Sequence, residues 1–174
     1  MKKIFCINGS ASTVSANQQL LRLIRGMLQD TCQVELFEAL KSLPHFDPAL
    51  SVTNPPEAVV RFRTKIQEAD GIIFCTPEYV FSIPSGLKNA IEWCIATTVF
   101  ENKPTGLITA SAQGQKGHAE LQLIMQTAMA RFTEATTLLI PGIRGVISAE
   151  GTIRDTATQL KLTQFVESFR VLAG

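Results

Sequence analysis

Short apolar runs and helical patterns alternate along the whole chain. Runs rich in apolar residues predict strands at 3–7, 33–37, 71–75, 104–110 and 136–140. Apolar residues at helical spacing predict helices at 16–29, 58–69, 84–95, 117–132 and 152–172. In the first of these helices, the apolar side chains that share one face are Leu20, Leu21, Ile24 and Leu28. A Pro-containing connection at 43–56 separates the second strand from the helix that follows it.

This alternation predicts an α/β fold built on a parallel sheet. Parallel strands need crossover helices, and those helices cover both faces of the sheet. We expect a single domain over residues 1–174, with a doubly wound five-stranded sheet in the order 2-1-3-4-5 and helices on both faces. In that order, ligands bind at the carboxyl ends of strands 1, 3 and 4. The loops there are named loop 1 (9–15), loop 2 (76–82) and loop 3 (111–116).

Charge and hydrophobic length exclude several classes of protein. The formal net charge is +1, which disfavours both nucleic-acid binding and a strongly acidic carrier protein. No apolar run approaches the roughly 20 residues that a membrane span needs. The apolar run near the start is too short for a signal peptide and ends at Asn8. We therefore expect a cytoplasmic protein with no membrane or nucleic-acid partner.

The cysteines predict no disulfide and no metal site. They are far apart in the sequence, form no C-x-x-C pair and have no His at ligand spacing: Cys6, Cys32, Cys75 and Cys94. Three of them lie in apolar runs. We therefore expect buried free thiols that behave as small apolar side chains.

Loop 1 and the start of the first helix can bind a phosphate. Helix N-termini attract anions because their first N–H groups have no partner within the helix. The side chains that can each add a hydrogen bond there are Ser10, Ser12, Ser15 and Asn17. Neither G-x-G-x-x-G nor G-x-x-x-x-G-K-[ST] is present, so the dinucleotide-fold and P-loop patterns are not indicated. Ser15, with Gln18 three residues later, also fits a helix capping box, and both interpretations can hold at once.

Loop 2 carries residues suited to a flat ring. Pro77 and Tyr79 can form a rigid platform against which such a ring packs. An exposed Tyr beside a Pro is also ordinary surface, so this interpretation stays open. Glu78 can accept a hydrogen bond from a ring N–H or remain in water.

Loop 3 is small and contains glycine. Gly114 and Gly117 would let the backbone approach a ligand closely, although a turn that enters a helix uses the same residues. His118 follows at the helix start, without a Ser or Cys nucleophile at a recognisable spacing. We therefore expect an incidental rather than a catalytic role for this histidine.

Taken together, the three loops resemble the NADPH-dependent FMN reductase family of flavodoxin-like proteins, which includes quinone, azo-dye and chromate reductases. The family's usual signatures are G-S-x-R-x-x-S-x-N, then P-E-Y-N with I-P-G-x-L-K-N-A-I-D-W, and then a small loop with glycine. The corresponding segments here are 9–17, 77–80 and 83–93. The segment 43–48 is also similar to the family's connection before the second helix. The similarity spans most of the chain in the same order.

The resemblance implies an FMN-dependent NAD(P)H oxidoreductase. Its ping-pong cycle would take a hydride from NADPH or NADH at flavin N5 and pass the electrons to a quinone, free flavin, azo compound or metal oxyanion. No side-chain acid or base is required, so no catalytic residue is assigned. The resemblance also implies a homodimer or homotetramer built on the helices that follow the third and fourth strands.

The same resemblance implies which residues hold the FMN. Around the phosphate it places Ser10, Ser12, Ser15 and Asn17. Along the ring and the ribityl chain it places Pro77, Glu78, Tyr79 and the backbone of Val80. On the other edge of the ring it places Ser111, Gln113 and Gly114.

Two positions depart from the family signatures. Ser12 stands where the family has Arg, which removes a positive charge near the phosphate or the NADPH, and Val80 stands where it has Asn. Loss of a charge-assisted hydrogen bond costs about 1–3 kcal/mol, so we expect FMN binding to be kept but loosened. Two alternatives stay open: a flavin-binding electron carrier with little NAD(P)H activity, and a domain that keeps the fold but has lost the cofactor.

Overall fold

The centre of the fold is a parallel sheet. The structure is a computed structural model that describes residues 1–12, 14–148 and 151–174. Its strands are β1 (Lys2–Asn8), β2 (Cys32–Phe37), β3 (Gly71–Thr76), β4 (Thr105–Ala110) and β5 (Thr137–Ile140). They pair in parallel in the order β2-β1-β3-β4-β5. The predicted five-stranded parallel sheet and its strand order are therefore confirmed.

Helices cover both faces of this sheet. The described helices are α1 (Ala16–Leu28), α2 (Pro48–Thr53), α3 (Glu57–Glu68), α4 (Ser85–Ile95), α5 (Gln115–Thr127), α6 (Ile143–Val146) and α7 (Thr156–Ala173). Short 3-10 turns lie at Leu40–Ser42 and Glu134–Thr136. Within the described ranges, no helix is both long enough and apolar enough to cross a membrane.

Two short helices are absent from the sequence-based prediction. α2 lies inside the stretch predicted as a connection, and α6 follows β5. The start of α2 has a local signal, since the side chain of Asp47 accepts a hydrogen bond from the Ala49 N–H and Pro48 occupies the first turn. Helices of six and four residues are too short to show a helical period, which explains why the pattern missed both.

The helix predicted at 117–132 begins and ends earlier, as α5. It begins after Gly114, whose φ is 94°. Beyond its end the chain turns at Met129, which has a φ of 59°. The carbonyl of Arg131 then accepts a hydrogen bond from the Thr105 N–H (2.8 Å). Because residues 129–131 turn and pair with the start of β4, they do not continue the helix.

The two faces of the sheet carry separate cores, because alternate strand residues point to opposite sides. In β1, Phe5 and Ile7 lie in the core beneath α3, α4 and α5. Ile4 and Cys6 lie in the core beneath α1 and α7. β3 and β4 are buried at every position, as is typical of central parallel strands. Polar groups that could contact a ligand are therefore found at the ends of these strands.

α4 anchors the connection that follows β2. Asn89 Oδ1 accepts a hydrogen bond from the Phe46 N–H (2.7 Å), and Asn89 Nδ2 donates to the Pro44 carbonyl (2.9 Å). The indole N–H of Trp93 donates to the same carbonyl (2.8 Å), and its ring meets Phe46 edge to face. Trp93 is fully buried and belongs to the core. The connection is thus fixed on the helix that begins just after loop 2.

All the cysteines are buried free thiols, as predicted. Burial raises the pKa of Cys6 and of Cys94 to about 12, so both stay protonated at neutral pH. Cys6 and Cys75 lie in the same core, beneath α1 and α7. Three of the four thiols have no part in the site described below, and Cys75 is the exception.

Candidate functional site

Loops 1 and 2 touch directly at the carboxyl edge of the sheet. The backbone N–H of Gly9 donates a hydrogen bond to the Cys75 carbonyl (2.8 Å). A Cβ at Gly9 would lie 2.4 Å from Thr76 Oγ1, which is closer than these atoms can approach. Only glycine therefore allows the ends of β1 and β3 to come this close.

The first residues of loop 1 are held by their own polar side chains. Asn8 Oδ1 accepts a hydrogen bond from the Ser10 N–H (3.0 Å). Ser10 Oγ accepts one from the Ser12 N–H (3.2 Å). Thr13, which is also in this loop, lies outside the described residues. Residues 8–12 thus form a compact turn held by short polar side chains.

Ser15 begins α1. Its Oγ accepts a hydrogen bond from the Gln18 N–H (3.1 Å), so the predicted helix-capping role is confirmed. Helix geometry leaves the N–H groups of Ala16 and Asn17 without partners inside the helix. An anion at this N-terminus would meet those two groups, so capping by Ser15 does not compete with phosphate binding.

Asn17 lies beneath loop 1, between strand ends. Its side chain is 3% exposed, and its Nδ2 donates a hydrogen bond to the Ala110 carbonyl (3.2 Å). Its Oδ1 accepts one from the Cys75 thiol (3.3 Å). The carboxamide therefore joins the first turn of α1 to the ends of β3 and β4. Part of its hydrogen-bonding capacity is used inside the protein, and only the remainder is left for a ligand.

Loop 2 contains a tight hairpin with exposed apolar residues at its tip. Tyr79 and Ser82 exchange backbone hydrogen bonds of 2.9 and 3.0 Å. Between them, Val80 and Phe81 have φ values of 51° and 60°, as in a type I′ turn. Val80 is 94% exposed and Phe81 is 69% exposed. A β-branched residue rarely adopts positive φ, so Val80 is a strained position beside the site.

The carboxylate of Glu78 binds the start of α5. Its Oε2 accepts a hydrogen bond from the Gly117 N–H (2.7 Å), where a negative charge stabilises the helix N-terminus. A Cβ at Gly117 would lie 3.2 Å from the Glu78 side chain, so the fit is tight. The sequence predicted a ring contact or a solvated side chain for Glu78. The structure shows that Oε2 holds the helix N-terminus of a distant segment, and the predicted ring contact of Glu78 stays a prediction.

Loop 3 lies against loop 2 at the start of α5. Gly114 has a φ of 94°, so the turn requires glycine, and Ser111 Oγ donates a hydrogen bond to the Glu78 carbonyl (3.4 Å). His118 Nδ1 lies 2.9 Å from Thr109 Oγ1. Burial lowers the pKa of His118, so its imidazole is neutral at pH 7. The incidental role expected for this histidine stays a prediction.

A cavity of about 140 Å³ lies between loop 1, the hairpin and the start of α4. Its lining includes three of the predicted site residues, Ser10, Ser12 and Tyr79. Glu38 and Lys41 also line it, although no sequence pattern distinguishes them from other exposed residues. The other lining residues are uncharged, so these opposite charges leave the lining formally neutral. Lys41 therefore does not replace the net positive charge that is missing at Ser12.

The remaining predicted site residues lie outside this lining. Pro77 is buried, Asn17 lies beneath loop 1, and Val80 is at the tip of the hairpin. Ser15 begins α1 behind the loop. In loop 3, beside Glu78 and the start of α5, are Ser111, Gln113 and Gly114.

The fold and the position of these loops define a flavodoxin-like α/β protein with a cavity at the carboxyl edge of its sheet. Residues 2–141 match the family model described as NADPH-dependent FMN reductase. The chain therefore belongs to the NADPH-dependent FMN reductase family. The expected oxidoreductase class is thereby confirmed, as are FMN and a nicotinamide nucleotide as its cofactors.

Individual relatives match most of the chain. CrdA of Vibrio ruber, an NADH:(hydroxy)cinnamate reductase subunit, is 32% identical over 171 residues, covering 94% of this chain and 82% of that protein. An NAD(P)H-dependent FMN reductase of Pseudomonas aeruginosa is 28% identical over 176 residues, covering 97% and 94% respectively. Among solved structures, the flavoenzyme NAD(P)H:(acceptor) oxidoreductase FerB of Paracoccus denitrificans has a TM-score of 0.79 at 23% identity. That match covers 99% of this chain and 97% of FerB, and it shows the shared fold.

The strained turn of loop 2 gives the first testable prediction. Val80→Asn should raise the free energy of unfolding by about 1 kcal/mol, because Asn tolerates positive φ where Val does not. Urea unfolding followed by circular dichroism measures this change. Val80→Ala is the control, since it removes exposed apolar surface without the special tolerance of Asn. An Asn variant no more stable than the wild-type protein would show that the backbone strain at Val80 does not lower stability.

Proposed function

We propose that this chain is an FMN-dependent NAD(P)H oxidoreductase that works by a ping-pong cycle. The observation that carries the proposal is the cavity shared by the hydroxyl-rich loop 1 and the hairpin of loop 2. Its position at the carboxyl edge of the sheet is where doubly wound proteins bind nucleotides. The proposed final acceptor is a quinone, a free flavin, an azo compound or a metal oxyanion. Relatives named quinone reductase, in Pseudomonas putida and Escherichia coli, support a small-molecule acceptor.

The start of α1 fits the phosphate of FMN. Ser10, Ser12 and Ser15 bring hydroxyl groups to a helix N-terminus whose free N–H groups and dipole favour an anion. Gly9 adds no side chain that would keep a ligand away from the backbone. Asn17 contributes from beneath the loop, because Ala110 takes only one of its two Nδ2 hydrogens.

Loops 2 and 3 are the proposed binding surface for the flavin ring. Tyr79 is 40% exposed and lines the cavity, so its ring is available to stack on a flat ligand. Pro77 and the Val80 backbone continue this surface along loop 2. The other edge is assigned to Ser111, Gln113 and Gly114. Glu78 is assigned to the ring with its second carboxylate oxygen, because Oε2 is already bound to the Gly117 N–H and holds α5 against loop 2.

The chain itself binds and orients the reactants. FMN held by the three loops would supply the redox chemistry, passing electrons from the nicotinamide nucleotide to the acceptor. Backbone N–H groups of the loops stabilise negative charge on the ligand. No side chain is assigned as acid or base, because hydride transfer through a flavin requires none.

The charge of the cavity bears on the choice of electron donor. NADPH differs from NADH by one phosphate, and binding that group favourably calls for positive charge. Ser12 is neutral, and the charge of Lys41 is offset by that of Glu38 in the same lining. We therefore propose that the enzyme accepts NADH as well as NADPH, without a strong preference for the phosphorylated donor.

A homodimer built on α4 and α5 is part of the proposal, as is a cytoplasmic location. Large apolar residues are exposed at the end of α4, on α5, after α5 and on the hairpin: Ile95, Leu123, Met129, Val80 and Phe81. The cavity, at about 140 Å³, is smaller than the ~300–1,000 Å³ usual for a ligand pocket. A second chain seated against the hairpin would enlarge and enclose the site.

Light scattering tests this interface. Leu123→Glu places a charge on the exposed face of α5, and burying an unpaired charge is costly, so the wild-type dimer should dissociate to a monomer. Leu160→Glu is the matched control, because Leu160 is similarly exposed but lies on α7, on the opposite face of the sheet. A wild-type monomer would overturn the proposed homodimer, and equal masses for the two variants would place the interface elsewhere.

Ser15→Asp tests the phosphate site without uncapping α1. Asp is as good an N-cap as Ser, so the helix should stay intact while a negative charge repels the phosphate. We expect the FMN dissociation constant to rise about tenfold or more, and that of riboflavin, which has no phosphate, to change less than about threefold. Ser15→Asn is the neutral control that keeps the cap. Unchanged FMN affinity in Ser15→Asp, measured by fluorescence titration, would remove loop 1 from the site.

Anaerobic spectroscopy tests the reaction as a whole. The purified protein, loaded with FMN and freed of excess, should retain flavin absorbance that bleaches on adding NADH or NADPH and returns on adding a quinone. Steady-state rates at several fixed quinone concentrations should give parallel double-reciprocal lines, as a ping-pong cycle requires. Retained flavin that does not bleach would support the electron carrier instead. A protein that retains no flavin would support the domain that has lost its cofactor.

A further inference from the structure

Cys75 is a buried thiol at the centre of the site that the proposed mechanism does not use. It lies at the carboxyl end of β3, is fully buried, and its Sγ is 3.3 Å from Asn17 Oδ1. Asn17 is the proposed phosphate residue of α1. A thiol hydrogen bond to a buried carboxamide at this position requires an explanation, because a plain apolar side chain would fill the same space.

The direction of this hydrogen bond follows from the groups around Asn17. The Ala110 carbonyl can only accept, so the carboxamide must present Nδ2 to it (3.2 Å). That orientation turns Oδ1 toward Cys75, and an oxygen of this kind can only accept. The Cys75 S–H is therefore the donor. Burial raises the pKa of this thiol, with a smaller contribution from Cys6, so the proton stays on sulfur.

Each of the three partners lies at one end of one of the three loops. Asn17 is in the first turn of α1, directly after loop 1. Cys75 immediately precedes loop 2, and Ala110 immediately precedes loop 3. One carboxamide thus connects all three, and the described residues accept only one of its two Nδ2 hydrogens.

We propose that Cys75 is a positioning residue for the cofactor phosphate, acting through the carboxamide of Asn17. This inference rests on the proposed function, since it concerns the same phosphate site. Without a donor at position 75, Asn17 Oδ1 would be a buried acceptor with no partner. The carboxamide would then rotate toward water or loop N–H groups, and its remaining N–H would no longer point to the ligand.

Substitutions that keep or remove the donor test this role. Cys75→Val has a similar size and no donor, and we expect its FMN dissociation constant to rise about three- to tenfold, the range of one hydrogen bond. Cys75→Ser retains a donor and should restore FMN affinity to within about twofold of wild type. Cys6→Val is the matched control, because Cys6 is an equally buried thiol in the same core without a described hydrogen bond to Asn17.

Three further readouts separate positioning from general destabilisation. Riboflavin affinity should be unchanged within about twofold in Cys75→Val, because only the phosphate contact is affected. In the flavin-free protein, the Asn17 side-chain amide should exchange its hydrogens faster in Cys75→Val than in Cys6→Val, as measured by NMR. Cys75→Ala replaces Cys75→Val if the larger side chain prevents folding, with the same expected result.

The outcomes distinguish the inference from the proposed function. Wild-type protein that binds FMN while Cys75→Val binds it equally well overturns the positioning role and leaves the function intact. An equal loss of FMN affinity and riboflavin affinity in Cys75→Val also overturns it. So does an equal loss of FMN affinity in Cys75→Val and Cys75→Ser. Wild-type protein that binds neither flavin overturns the proposed function, and the inference with it.

Discussion

The arrangement of the site depends on how closely the carboxyl ends of β1 and β3 approach each other. Gly9 has no side chain, so its N–H reaches the Cys75 carbonyl and loop 1 lies directly on loop 2. Any larger residue would strike Thr76 and separate the two loops. Asn17 then connects the same strand end to that of β4. The relative positions of the three loops are thus set by backbone and buried side chains beneath them.

Loop 2 is held in place from the opposite side by α5. The Glu78 carboxylate binds the Gly117 N–H, and the Ile83 N–H donates to the Glu120 carboxylate (3.1 Å). With both ends of the hairpin fixed, the turn between them keeps positive φ at Val80 despite the strain. The result is a rigid loop that presents apolar side chains beside a small cavity. A flat, partly apolar ligand with a phosphate at one end needs both features.

Much of the fold could be predicted because few arrangements of strands and helices are compatible with the alternation of apolar runs and helical patterns. Buried apolar runs separated by helices require a parallel sheet with right-handed crossovers, and little freedom remains in the strand order. Helices long enough to show a period, such as α1, were found from the spacing of apolar residues. α2 and α6 were missed because six and four residues carry no period. The segment after α5 was misassigned because its pairing with Thr105 is a contact between distant residues.

For the site, the sequence alone determined interactions between residues close together in the chain. Ser15 caps an N–H three residues later, and Gly114 supplies the positive φ at the start of α5, so local residue preferences suffice. The partners of Glu78 and Asn17 are different, since they come from segments far along the chain. A hydrogen bond forms only when two groups lie about 3 Å apart in space. The separation of two residues along the sequence does not give their distance in the folded chain. Only the parallel register of β1, β3 and β4 brings those groups to one edge, so tertiary structure decided which side chains line the cavity and which hold the loops.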